Sequence, residues 1–425
     1  MSVPSEGPRI RTPGSARWVV RTLEEAGFEC WTVGGAVRDA LLGIPSNDWD
    51  FATAAHPKQT QRVFRRTVPI GIDHGTVGVL DRDGLLHEVT TFRKDVETDG
   101  RHAVVSFADR IEDDLARRDF TINAIAWHPI REELLDPYGG VGDLERRELR
   151  TVGAATERFQ EDYLRILRAL RFAGRYELQI VPETWEAARS LIDGLGGLSA
   201  ERIREELMKV LGSRDPGPAL ELYRSSGALE RVAPALAAAD EARWTAAVRR
   251  AATIGAHRPV LRLAALLEVA LSELSEAARV GGVATWMEGL RFSNADTETV
   301  THLMATSGPL PTAERESTSD AELRRWLARV GPSRVADRVR LAIAAARCGA
   351  EEPEDVRARV ARIRAMMHSH PPLSVGDLAI SGRDLIAMGM KPGPQFGRIL
   401  EELLDLVLED PTLNQAELLR ARVPQ

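Results

Sequence analysis

The chain has 425 residues, too many for one compact core, so two to four domains are expected. A formal net charge of −7 excludes a uniformly basic nucleic-acid binder, although a local basic stripe is enough to hold phosphates. No apolar run is long enough to span a membrane, and two distant cysteines, Cys30 and Cys348, exclude a disulfide framework and leave the cytoplasm as the expected compartment.

The opening MSVPSEGPRIRTPGS lacks the apolar core of a secretory signal and reads as a disordered lead-in over residues 1–15. An amphipathic helix is expected over residues 16–26 and a strand over 29–33. Gly34-Gly35 then turns the chain into a helix over 36–42, which Gly43, Pro45 and Ser46 end. Asp48-Trp49-Asp50-Phe51-Ala52 reads as a second strand. Residues 76–80 and 85–92 form a hairpin turning at Asp83-Gly84. The polar stretch 95–103 reads as a mobile loop. From about Thr151 the pattern is helical to the end, broken at 194–197, 215–218 and Pro371-Pro372. Trp127, Trp185 and Trp244 are assigned to the core.

Asp48 and Asp50 carry the sharpest chemistry. Side chains two apart on a strand share one face, so both carboxylates point the same way, and carboxylate oxygens suit Mg²⁺. Upstream, Gly34 and Gly35 allow backbone to approach a phosphate closely at the start of a helix that carries Arg38. Glu88 is the candidate third acid. In Arg117-Arg118-Asp119-Phe120-Thr121-Ile122-Asn123, an arginine can hold triphosphate oxygens, Asp119 can accept from a ribose hydroxyl, and Asn123 can brace the loop. Asp162, Arg165, Arg168 and Arg171 recur every three residues along one side of a helix whose other side, with Leu164, Leu167 and Leu170, is apolar. A salt-bridged surface face competes with nucleotide or RNA phosphate contact as the role of Arg168 and Arg171.

Taken in order, these segments resemble the class II tRNA nucleotidyltransferases, or CCA-adding enzymes, and their relatives the bacterial poly(A) polymerases. GGAVRD with DWD is similar to the family's first motif and RRDFTINA to its second. Asp136-Pro137-Tyr138-Gly139-Gly140, Glu161-Asp162-Tyr163-Leu164-Arg165, and the run from Ser199 to Glu206 resemble the next three. Residues 376–400 resemble the tail of the CCA-adding members, whereas 235–345 are less distinctive.

The resemblance implies an α+β chain. A polymerase-β-type nucleotidyltransferase head, a mixed sheet with helices, spans 16–150; an all-α neck (151–215), body (216–345) and tRNA-binding tail (346–425) follow. It further implies addition of C, C and A to the tRNA 3′ end from CTP and ATP without a template. Asp48 and Asp50 would hold Mg²⁺, and Asp162 with Arg165 would choose the base. An A-adding tRNA enzyme and a poly(A) polymerase share the head motifs; the tail favours tRNA, and the full-length 95–103 segment favours complete CCA addition. A non-catalytic RNA-binding relative would lack a metal aspartate, and both are present. Some relatives carry a phosphohydrolase domain with adjacent His-Asp ligands. Here no His-Asp pair occurs and Glu268 stands where a histidine is wanted, so that region is expected to be structural or RNA-contacting helix.

Overall fold

The computed structural model describes residues 10–46, 48–72, 75–98, 103–314 and 316–424, with side chains for all of these but 95–98 and 103–105. The chain divides into two compact units, Met1–Val210 with Pro218–Pro234, and Leu211–Gly217 with Ala235–Gln425.

In the first unit, α1 (Gly14–Glu25) buries Ala16, Val19, Val20 and Leu23, the three-and-four spacing of a helix with one apolar side. The segment ahead of it is tied down rather than loose. Ile10 is buried, and Thr12 accepts from Trp127 Nε1 at 3.0 Å, so the part of the expected lead-in that holds these two residues is packed. The strands are β1 (Cys30–Val33), β2 (Asp50–Thr53), β3 (Thr67–Gly71), β4 (Thr76–Leu80), β5 (Leu86–Thr91), β6 (Arg93–Thr98), β7 (Ala103–Phe107), β8 (Ala126–His128) and β9 (Glu133–Leu135).

Among the described residues, seven of them form one sheet in the order β3-β4-β5-β2-β1-β8-β9. Only β2 and β5 run parallel, with Phe51 opposite Val89; the other neighbours are antiparallel, so the sheet is mixed. The hairpin β4–β5 turns through Gly84 at φ 83°, a left-handed conformation that glycine adopts without strain. β6 and β7 make a separate antiparallel pair, with Arg93 opposite Phe107. Most of the segment expected to be a mobile loop is therefore strand. The polar side chains at 95–99 obscured it in the sequence, and residues 99–102 lie outside the described residues.

Helices α2 (Gly35–Leu41), α3 (Pro57–Val63), α4 (Ile111–Ala116) and α5 (Gly140–Arg146) accompany the sheet. Trp31, Val33, Ala52, Phe92, Ile111, Leu115 and Ala126 form a buried cluster between sheet and helices. Next come α6 (Ala155–Glu161), α7 (Leu164–Tyr176), α8 (Pro182–Ser190), α9 (Ala200–Leu211), α10 (Gly217–Ser225) and α11 (Ala228–Val232). Apart from Leu211 and Gly217 at two helix ends, these helices belong to the same compact unit as the sheet. Two short strands explain part of this: Glu148–Leu149 pairs in parallel with Gln179–Ile180. A Cβ on Gly174 would overlap the backbone of Ala219; glycine lets α7 and α10 cross in close contact.

The second unit is helical. It holds α12 (Pro234–Ala237), α13 (Glu241–Ala252), α14 (Pro259–Ala270), α15 (Glu276–Gly289), α16 (Asn294–Ala305), α17 (Asp320–Val330), α18 (Val335–Arg347), α19 (Pro353–His368), α20 (Gly382–Ala387), α21 (Gln395–Glu409) and α22 (Ala416–Arg420). Ser319 starts α17 with a reciprocal capping box to Glu322. Leu323, Leu327, Val339, Val356, Val360 and Ile363 build one core, and Leu385, Leu403, Val407 and Leu419 another. Glu268 is a structural charge. It is buried and accepts from Arg338 at 3.1 Å and from Arg250 at 3.2 Å. Trp127 and Trp244 are buried, and Trp185 is half-buried.

Candidate active site

A cavity of about 640 Å³ opens in the first unit between the sheet and α7 and α9. Every site residue singled out in the sequence except Asp48 lines it. Asp50 opens β2, beside the glycine turn: a Cβ built on Gly34 would stand 3.7 Å from Asp50 Oδ2 and 3.0 Å from Arg118 Nη1. Gly34 has φ 74° and ψ −135°, a conformation that needs glycine. Asp48 lies two residues before Asp50 and is exposed, with Trp49 buried between them, so the alternation expected of a strand is kept although β2 begins only at Asp50.

Burial pushes the Asp50 carboxyl up to about 6; the charges of Asp48 and Glu88 add to this, and Arg118 opposes it. A half-buried carboxylate crowded by other carboxylates is short of positive charge, which a divalent cation supplies. Among the described residues no three His, Cys, Asp or Glu side chains converge closely enough to hold a metal by themselves. Glu88, exposed on β5, thus stands near the pair without completing a three-acid cage. Two carboxylates, with water and substrate phosphate taking the remaining positions, suit Mg²⁺, which prefers that mixture to an all-protein shell.

The arginines differ in how firmly they are held. Arg38 is buried and fully engaged: Nε and Nη2 donate to Asp39 Oδ1 at 2.9 and 2.7 Å, Nη1 to Asn123 Oδ1 at 2.5 Å, and Nη2 to Tyr176 Oη at 2.6 Å. Its guanidinium lies over the Tyr176 ring at 4.4 Å. Asn123 passes the connection on, donating from Nδ2 to Asp119 Oδ1 at 2.9 Å. Asp119 also accepts from the Phe120 amide at 2.9 Å and, on Oδ2, from Arg168 at 2.7 Å. Burial alone would raise the Asp119 carboxyl, but the Arg168 charge and the Asn123 and Arg168 hydrogen bonds outweigh it and hold it below the usual carboxylate range. Both oxygens are therefore in use, and Oδ2, which accepts from Arg168, keeps a lone pair for a further donor. Arg118 donates to Asp114 at 3.0 Å and to the Asn123 carbonyl at 3.3 Å. Arg171 is buried against Glu206 at 2.6 Å, whereas the Arg168 side chain stays 31% exposed at the cavity wall.

Asp162 ends α6 in an extended conformation, which aims its side chain away from the helix path. Oδ1 accepts from the Leu164 amide at 3.1 Å and Oδ2 from Arg202 Nη2 at 2.6 Å. Arg165 donates to Glu161 and to the carbonyls of Arg158 and Arg117, at 3.0 and 3.3 Å. The Asp50 carboxylate, a set of arginines, and Asp162 with Arg165 thus face one space.

Residues 30–150 match the model of the poly A polymerase head domain. Residues 177–240 match that of the probable RNA and SrmB-binding site of polymerase A, and 282–423 that of the putative tRNA nucleotidyltransferase domain 2. A CCA-adding enzyme of Levilactobacillus brevis is 34% identical over 416 residues, 96% of each chain. The chain belongs to the CCA-adding enzyme family. A Streptococcus pneumoniae CCA-adding enzyme is 48% identical over 195 residues, covering 45% of this chain and 48% of its own. The crystal structure of the Bacillus stearothermophilus CCA-adding enzyme in complex with CTP superposes with a TM-score of 0.74 at 29% identity, over 96% of both chains. Like that CCA-adding enzyme, this chain joins a mixed-sheet head to a helical remainder, and it is a nucleotidyltransferase. Nucleotidyltransferases of this family use a divalent metal ion.

Several residues that partner the side chains lining the cavity carry no local signature. Arg202 and Glu206 fall in the run from Ser199 to Glu206 that the resemblance marks, yet nothing in that run reveals their partners, Asp162 and Arg171, 40 and 35 residues away. Tyr176, 138 residues from Arg38, is as hidden.

Proposed function

We propose that this chain adds C, C and A to the 3′ end of tRNA from CTP and ATP without a nucleic-acid template, and that its cavity is the nucleotide site. The observation that carries this reading is the meeting of Asp50 with Asp162 and Arg165 in one cavity, the arginines between them. Asp48 and Asp50 would hold Mg²⁺. When bound, the ion neutralises phosphate charge and favours ionisation of the attacking hydroxyl. Arg117, Arg118 and Arg168 bind triphosphate oxygens, and Gly34 and Gly35 leave room for the phosphates beside Asp50. Arg38, Asn123 and Arg171 hold this frame in place through their buried hydrogen bonds. The tRNA 3′ oxygen bonds to the nucleotide α-phosphorus as the bond to pyrophosphate breaks.

Base choice follows from hydrogen-bond polarity. Cytosine and adenine each present an exocyclic amine beside a ring-nitrogen acceptor. Asp162 accepts from the amine and Arg165 donates to the ring nitrogen. Uracil and guanine present a carbonyl and a ring N–H instead, so both contacts clash, at about 1–3 kcal/mol each. One pair of side chains then serves C and A alike. The tail, within the segment that matches a tRNA nucleotidyltransferase model, is assigned to tRNA binding. The two cysteines, both free, suit the reducing cytoplasm.

The test is incubation with tRNA lacking its CCA end, Mg²⁺ and single labelled nucleotides. CTP incorporation followed by one ATP supports the reading. ATP addition only to tRNA already ending in CC, or unlimited ATP addition to any RNA, defeats it.

A further inference from the structure

Asp162 and Arg165 have opposite charges and stand three residues apart, a spacing at which a carboxylate and a guanidinium readily pair. Closed on each other, they would offer a base neither the acceptor nor the donors that choice requires. They do not pair. Asp162 is drawn to Arg202 at 2.6 Å, and Arg165 to Glu161. Glu161 is fixed in turn by Arg158 at 2.9 Å. Tyr163, one of the two residues between them, is wedged as well: a Cβ on Gly194 would overlap the Tyr163 ring, so that ring packs directly on the backbone of the turn Ile192–Gly197. All four charged side chains are at most 30% exposed, which limits the solvent screening that usually makes such pairs weak.

We infer that Arg202 and Glu161 are positioning residues for nucleotide choice. Each holds one member of the base-reading pair away from the other, and Arg202, reaching over from α9, sets the direction of the Asp162 acceptor. Arg202 leaves a lone pair of Oδ2 for the base amine, since a carboxylate oxygen accepts more than one hydrogen bond. Without Arg202, Asp162 turns to its nearest cation and the pair collapses. This inference rests on the assignment of Asp162 and Arg165 as base-selecting, and the experiment separates the two.

The full-length protein is given tRNA lacking CCA, and kcat/KM is measured for CTP and for UTP. Arg202→Met, which keeps an unbranched apolar stem without the guanidinium charge, lowers the CTP/UTP ratio by about tenfold or more, the loss of one contact of about 1.4 kcal/mol. Glu161→Gln lowers it in the same direction, and Arg202→Lys restores most of it. A merely structural role would slow both nucleotides alike and leave the ratio unmoved. A ratio within twofold of the parent in Arg202→Met, with selection lost in Arg165→Ala, overturns this inference alone. Selection retained in Arg165→Ala overturns the base-reading assignment and this inference with it. If Arg202→Met does not fold, Glu161→Gln and Arg202→Lys decide by the same ratio.

Discussion

Gly34 and Gly35 look equivalent in the sequence, and the structure separates them. Gly34, at φ 74° and ψ −135°, occupies a conformation that costs a residue with a Cβ about 1–3 kcal/mol. In Gly34→Ala the new methyl also stands 3.0 Å from Arg118 Nη1, so the guanidinium must move by a few tenths of an ångström at the proposed phosphate site. Gly35 has no positive φ, and its added Cβ meets only Arg38 Nη2, at an ordinary 3.6 Å. Gly34→Ala should therefore lower the melting temperature of the first unit by roughly 2–12 °C, taking about 2–4 °C per kcal/mol for a domain of that size. It should also raise KM for CTP several-fold. Gly35→Ala should stay within about 0.5 kcal/mol of the parent in stability, with any effect confined to nucleotide binding. Calorimetry and steady-state kinetics on both variants make the comparison. Equal losses of stability in the two, or none in Gly34→Ala, would refute the conformational argument.

Three further outcomes follow from buried charge and close packing. Glu268→Gln removes the carboxylate from Arg338 and Arg250 in the second unit and should cost about 3–5 kcal/mol in urea unfolding, because it strands buried guanidinium charge; a loss below 1 kcal/mol would show the network to be solvated. Gly140→Ala drives a Cβ into the Thr121 backbone and should give little soluble protein, or protein with a strongly depressed melting temperature by circular dichroism. Asp119 has a lowered carboxyl pKa in the folded chain, so its ionic contribution is complete above the unfolded value of about 3.9 and is lost as pH falls through the folded one. The difference in melting temperature between the parent and Asp119→Asn should accordingly be constant from pH 6 to 8 and shrink below about pH 4; a difference that shrank near pH 6 would contradict the lowered carboxyl.

What the sequence made legible was whatever short-range pattern determines. The two carboxylates around buried Trp49, the hairpin through Gly84 and the apolar side of α1 follow from periods of two and 3.6 residues, which need no knowledge of distant partners. β6 and β7 escaped notice because polar side chains at 95–99 break that pattern, while their ladder is satisfied by each other. The packing among residues 148–219 escaped notice for a related reason. The ladder between 148–149 and 179–180, the Arg171–Glu206 pair and the close crossing at Gly174 all join residues more than thirty apart.

The same limit governs the site, and it bears on how arginine motifs are interpreted. The sequence supplies an inventory of cations near a predicted phosphate site, and residue type alone cannot rank them. Pairing does. Arg38 is committed to Asp39, Asn123 and Tyr176, and Arg171 to Glu206, so recruiting either to a phosphate would abandon a buried carboxylate. Arg168 is paired too, but it remains nearly a third exposed. Losing a buried partner costs several kcal/mol, comparable with what a phosphate contact returns. An arginine already buried in an ion pair is therefore better employed holding the frame than gripping the substrate, and nucleotide binding falls to guanidinium groups such as Arg118 and Arg168, 22% and 31% exposed, which can keep their carboxylate and still turn spare N–H donors to the cavity.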